Sequence, residues 1–153
     1  MEENVRSVTS VGGFIPYIKG QLHLQDVDPK TYSPLTLAYI GDGVYELIIR
    51  TLVVNHGNVP VSRLHKKSSS LVKAGTQALI MIELLEDLTE AELVIYKRGR
   101  NAKSATMAKN ATVIDYRTAT GFEALIGYLY VTEEFNRMIE LVKIGLTKIG
   151  ELK

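Results

Sequence analysis

The stretch LTLAYIGDGVYELIIRTLVV, from Leu35 to Val54, decides how this chain is read. Its apolar residues recur at helical spacing, and its only acids are Asp42, between Gly41 and Gly43, and Glu46. The pattern predicts a helix from about Pro34 to His56, with Ser33 as cap, Pro34 at the first position, and His56-Gly57-Asn58 as the stop. A second apolar run, GFEALIGYLYV from Gly121 to Val131, carries Glu123 in the same way. An acid in apolar surroundings costs on the order of several kcal/mol unless it is paired, protonated or bound to a cation. Two such acids on separate helices point to a shared divalent metal. The plainer reading is that each acid caps a helix or faces solvent on a narrow polar stripe.

Working outward, the class is all-α. A second helical stretch follows Val59-Pro60 and carries Leu64, Leu71, Val72, Leu79 and Ile80, with an interruption expected near Ala74-Gly75-Thr76. Thr89 with Glu92 has the spacing of a capping box and opens a helix ending near Arg98-Gly99. A loop containing NAKSATMAKNATVID comes next, then the helix bearing Glu123, then a last helix from about Glu133 to Leu146. Period-two alternation is nowhere sustained, so strands are not expected. Residues 1–33 lack a sustained helical period and contain the Gly12-Gly13 pair. They read as a loosely ordered N-terminal arm before a domain over residues 34–149.

Composition narrows the chemistry. The 153 residues are 46% hydrophobic and 23% charged, which suits a soluble globular domain with a real core. Without cysteine, neither disulfides nor thiolate metal sites are available. The three histidines, His23, His56 and His65, have no HxxxH spacing, so a zinc-binding helix is not expected. Any metal is therefore hard and oxygen-ligated, or bound through those histidines. No secretory leader or membrane span is legible, and a cytoplasmic protein is expected.

Net charge is only +1, but it is unevenly spread. Arg63, His65, Lys66, Lys67 and Lys73 form one acid-free basic cluster, and Lys97, Arg98, Arg100, Lys103 and Lys109 another. Two basic clusters near a carboxylate pair fit a polyanion that must be gripped and brought to a metal. The alternative is that they are solvated faces. Glu46 lies four residues from both Asp42 and Arg50, and reads more readily as the partner of Arg50 than as support for Asp42. The glycines beside Asp42, and Gly127 four residues after Glu123, suggest close helix packing. Met81, Met107, Met138 and the tyrosines at 39, 45, 128 and 130 read as core and dimer contacts.

At these residues the chain resembles the ribonuclease III catalytic domain. LAYIGDGVYELIIR resembles that family's signature acidic helix, GFEALIGYLY its second acidic helix, and LVKAGTQALI the stretch between them. HKKSS followed by YKRGRNAKS is most similar to the short form called Mini-ribonuclease III. The resemblance spans roughly Leu35 to Leu146. It implies a Mg²⁺-dependent endonuclease cutting double-stranded RNA as a homodimer, with Asp42 and Glu123 as the catalytic, metal-holding acids. The helix around Ile40–Leu47 would pack on its twofold mate. The short forms are linked to ribosomal RNA maturation, which implies a 23S precursor as substrate.

There are departures. Acids usual in the family are replaced by Leu35, Ala38 and Thr120. A site with fewer carboxylates is less negative and leans more on water ligands, which leaves a one-metal arrangement open. Only seven residues follow Leu146, so no separate RNA-binding domain is expected after it. Grip is then expected from the catalytic domain or a ribosomal-protein helper. Lys97, Arg98, Arg100, Asn101 and Lys103 of KRGRNAKS, read as a basic loop, come first, and His65, Lys66 and Lys67 second. Two other classes compete. A catalytically inert RNA-binding protein of a ribosomal particle would not need both acids. A helical DNA-binding regulator would need a base-reading recognition helix.

Overall fold

The structure, a computed structural model, describes residues 13–103 and 112–153; Gly12, Met107 and Lys109 lie outside them. The chain divides into two compact units, Met1–Thr31 and Tyr32–Lys153. Among the described residues there are seven α-helices and two short 3-10 turns, and no strand. No helix among them is long and apolar enough to cross a membrane.

The first unit departs from the arm read in the sequence, because Phe14–Leu22 is helical (α1). Pro16 stands in the first turn, whose N–H groups have no intrahelical acceptor, so it does not break the helix. His23 closes α1 in the left-handed conformation. A nine-residue helix with Gly20 inside has little propensity of its own, which is why its signal is faint.

The second unit opens with α2, Pro34–Asn55, where the Ser33 hydroxyl accepts from the Thr36 N–H at 3.1 Å. Helices α3 (Val61–Val72) and α4 (Ala74–Leu84) are separated by a sharp break at Lys73, whose ψ is 153°. Both halves of the expected capping box are present at the start of α5, Glu90–Asn101. Thr112 caps α6, Val113–Val131, and α7 runs from Phe135 to Lys148.

Helix α6 is the hub, packing on α2, α4, α5 and α7. Around it the core gathers Tyr45, Ile49, Ile80, Met81, Leu84, Phe122, Leu125, Ile126, Leu129 and Leu141. The rings of Tyr45 and Phe122 meet edge to face at 5.1 Å. Arg137 of α7 binds Glu92 through both carboxylate oxygens, at 2.8 and 2.9 Å, and donates to the Asp87 carbonyl at 2.6 Å. That bidentate pair ties α7 to the start of α5 and holds the Glu92 carboxyl below its ordinary range.

Candidate active site

Glycine explains how α2 and α6 meet. A Cβ on Gly41 would run into the Glu123 carbonyl oxygen, with the Glu123 carbonyl carbon at 2.7 Å and the Gly127 nitrogen at 2.8 Å. A Cβ on Gly127 would meet the Leu37 carbonyl in the same way. Two backbones therefore touch where Leu37 and Gly41 of α2 cross Glu123 and Gly127 of α6. Side chains of ordinary size would hold them several ångströms farther apart. Gly43, two residues on, has nothing within 4 Å of its Cβ position.

The crossing carries the two acids. The Asp42 and Glu123 carboxyls lie close enough to act on each other, and the Gln77 amide of α4 stands beside Glu123 as well. Burial, then the Asp42 carboxyl beside it, push the Glu123 pKa up to about 9; the neighbouring Gln77 amide pulls it down. Without a counter-charge, Glu123 is thus protonated at neutral pH.

The burial of the pair differs from the sequence reading. Glu123 is half-buried, but Asp42 is exposed. The apolar run of α2 is longer than one core-facing stripe needs, and Leu35, Tyr39, Leu47 and Val54 are exposed along with Asp42. Tyr45, read among the core and dimer contacts, has no exposed surface and belongs to the chain's own core, as does Ile49. Met81 and Met138 are core residues as expected, and Tyr128 and Tyr130 pack against that core. Glu46 pairs with Arg50 at 3.0 Å.

The substituted family positions are occupied by other work. Ala38 is buried against Leu37 and Ala124, and the Thr120 hydroxyl donates to the Tyr116 carbonyl at 2.9 Å. Among the described residues no three His, Asp or Glu side chains group together as a metal cage. Two adjacent carboxylates nevertheless suit a hard cation such as Mg²⁺, which is commonly held by one or two protein carboxylates with water filling the remaining positions. A structural sign of fit is the donor set itself: the half-buried Glu123 carboxyl beside that of Asp42 on crossing helices.

The basic residues are arranged differently from the expectation of a loop. Lys97, Arg98, Arg100 and Asn101 belong to the last turns of α5, with Lys103 just beyond it. Gly99, read as a loop residue, is buried: its Cβ would lie 2.7 Å from the Ala124 methyl group and 2.9 Å from the Gly121 Cα. It serves close packing on α6, which leaves the flanking cations outside. The Arg100 guanidinium lies 5.5 Å from the Tyr96 ring centroid. Lys97, Arg98 and Asn101 line an open hollow of about 550 Å³ with Pro34, at the N-terminal end of α2. His65 lines a smaller hollow with Arg50, Val53 and Val54, toward the other end of α2. Lys66 is exposed on α3, and Lys67 pairs with Glu151 at 2.9 Å. Asp42 stands eight residues from Pro34 and eight from Arg50, about 12 Å of helix axis from each. His65 and the Lys97–Asn101 group line separate hollows, toward opposite ends of α2.

Gln77 is the residue the sequence reading passed over. It is a polar side chain inside the apolar run LVKAGTQALIMIELL, and it is only 3% exposed. The logic applied to Asp42 and Glu123 would have found it.

The comparisons agree with this frame. The family model for the ribonuclease III domain matches residues 35–134. A Mini-ribonuclease 3 of Clostridium tetani is 49% identical over 125 residues, 81% of this chain and 83% of that protein. One of Enterococcus faecalis is 48% identical over 126 residues, 81% of this chain and 96% of that protein. A protein of Fusobacterium nucleatum solved by X-ray crystallography superposes with a TM-score of 0.73 at 32% identity, covering 80% of this chain and 94% of that one. These findings define an all-α hydrolase of the endoribonuclease class. The chain belongs to the ribonuclease III family, whose members act on double-stranded RNA, typically as dimers, and generally with divalent metal.

Proposed function

We propose that Asp42 and Glu123 are the catalytic acids of this chain and jointly hold Mg²⁺ for hydrolysis of double-stranded RNA. The observation that carries the reading is the backbone contact at Gly41 and Gly127, which sets two carboxyls side by side on crossing helices. When bound, the cation supplies an activated water and offsets negative charge on the phosphate. The chain supplies the rest. Asp42, being exposed, meets the phosphodiester, while half-buried Glu123 anchors from behind. Lys97, Arg98, Arg100, Asn101 and Lys103 at one end, with His65, Lys66 and Lys67 at the other, take phosphates on either side of the cut.

The exposed apolar set of α2, Leu35, Tyr39, Leu47 and Val54, supports a homodimer through that helix. Precursor ribosomal RNA as substrate, cytoplasmic action and a ribosomal-protein helper rest on the resemblance to the short form. The test is cleavage of a labelled RNA duplex with and without Mg²⁺. Asp42→Asn and Glu123→Gln should each lower the rate roughly a thousandfold or more, a loss of about 4 kcal/mol in transition-state stabilisation. Near-normal cleavage by both variants, with unchanged metal dependence, would overturn the assignment.

A further inference from the structure

The Lys73 N–H still closes the last ordinary turn of α3 on the Ser69 carbonyl at 3.2 Å, but the break there leaves the final three carbonyls without helical donors. Each finds another: the Thr76 hydroxyl donates to Ser70 at 2.7 Å and the Tyr45 hydroxyl to Leu71 at 2.9 Å. The third, Val72, accepts from Gln77 Nε2 at 2.7 Å. That carbonyl needs a donor, so the bond fixes which way the Gln77 amide faces. The amide also stands beside Glu123 and draws its pKa down, while its own Oε1 is buried with no partner. A buried amide oxygen without a partner is costly, and Gln77 Oε1 is the one such buried side-chain atom among the described residues.

We propose that Gln77 is a positioning residue for the acid pair: its amide nitrogen orients the Glu123 carboxylate toward Asp42, and its free oxygen accepts a hydrogen bond from a water on the bound cation. This rests on the reading that Asp42 and Glu123 hold that cation. The amide is itself oriented by the Val72 carbonyl, so the break between α3 and α4 becomes part of the site's support. Such groups behind metal ligands typically alter metal affinity by about 10- to 100-fold.

The experiment is calorimetric titration of Mn²⁺ and Mg²⁺ into the RNA-free protein, alongside thermal unfolding and duplex cleavage over a Mg²⁺ series. Gln77→Met keeps the length and removes both polar atoms; it should bind metal about 10- to 100-fold more weakly. Its cleavage rate should recover most of the wild-type value at saturating Mg²⁺. Thr76→Val removes a neighbouring bond at the same break without touching Glu123. It should lower the unfolding temperature but keep the wild-type metal affinity. Wild-type affinity in Gln77→Met overturns the proposal, as does an equal loss in Thr76→Val, which would assign the effect to the break itself. Wild-type metal affinity in Asp42→Asn would instead overturn the acid-pair reading beneath it.

Discussion

The α2–α6 crossing and the basic end of α5, proposed as acid site and RNA grip, are built on opposite principles. At the crossing, backbone meets backbone at Gly41 and Gly127, and no atom can be added without moving a helix. At the basic end of α5, Tyr96 and Gly99 are packed, while Lys97, Arg98 and Asn101 project into solvent around an open hollow. Catalysis needs carboxyls fixed to a fraction of an ångström, which close packing supplies. Phosphate grip needs charge of the right sign within reach, which flexible cations supply without tight geometry.

The sharpest way to break that contrast is Gly41→Ala. The new methyl would overlap the Glu123 carbonyl, so the helices must separate. Stability should fall by about 3 kcal/mol or more, with cleavage lost even where the fold survives. Chemical denaturation and a cleavage assay read both; a variant with native stability would show that the crossing is soft.

The next effect is on pH. Folding raises the Glu123 pKa from 4.5 to about 9, so the fold favours the neutral carboxyl. Its contribution is fully present below about pH 4.5 and is lost as pH rises through about 9. Metal-free protein should therefore lose stability across that window. Glu123→Gln should flatten the curve and unfold higher at pH 9, by about 2 kcal/mol or on the order of 5 °C. Parallel melting curves of the two proteins from pH 5 to pH 9 would contradict it.

On the basic side, Lys97→Ala with Arg98→Ala should weaken duplex binding about tenfold or more. It should also reduce the salt slope by up to about two units, similarly for every duplex sequence. Unfolding should move by less than about 1 kcal/mol, since both side chains are exposed and neither is in a salt bridge found among the described residues. Unchanged affinity and slope would remove this end of α5 from the RNA surface.

The smallest effect belongs to Gly43→Ala. Its Cβ meets nothing within 4 Å, so the helix should gain about 0.5–1 kcal/mol. A large loss would mean that Gly43 has a close contact absent from the single chain, as a partner subunit or bound RNA would provide.

Local signals were legible wherever the physics is local. Ser33 caps α2, Thr89 and Glu92 close their box, Glu46 finds Arg50, and the break falls at Lys73, next to the stretch where it was expected. The family motifs likewise led to the ribonuclease III domain. What failed was exposure. The apolar neighbours of Asp42 suggest an interior position, yet it is exposed, as the plainer reading of a solvent-facing acid allows, because part of that apolar surface faces away from the core. KRGRNAKS was read as a loop because glycine and charge are frequent in loops; Gly99 is instead a packing residue of α5.

The two glycines beside Asp42 show where the sequence stops. Helical period, caps and the acids themselves are written in residues a few positions apart, and the period and caps set the helices from α2 to α7 and their order. Nothing in IGDG distinguishes Gly41 from Gly43. Only the packing of α6 on α2 makes one of them indispensable and leaves the other in open space. The same packing lifts the Glu123 pKa and puts Gln77 beside that carboxyl, because burial and long-range contact depend on which helix faces come together.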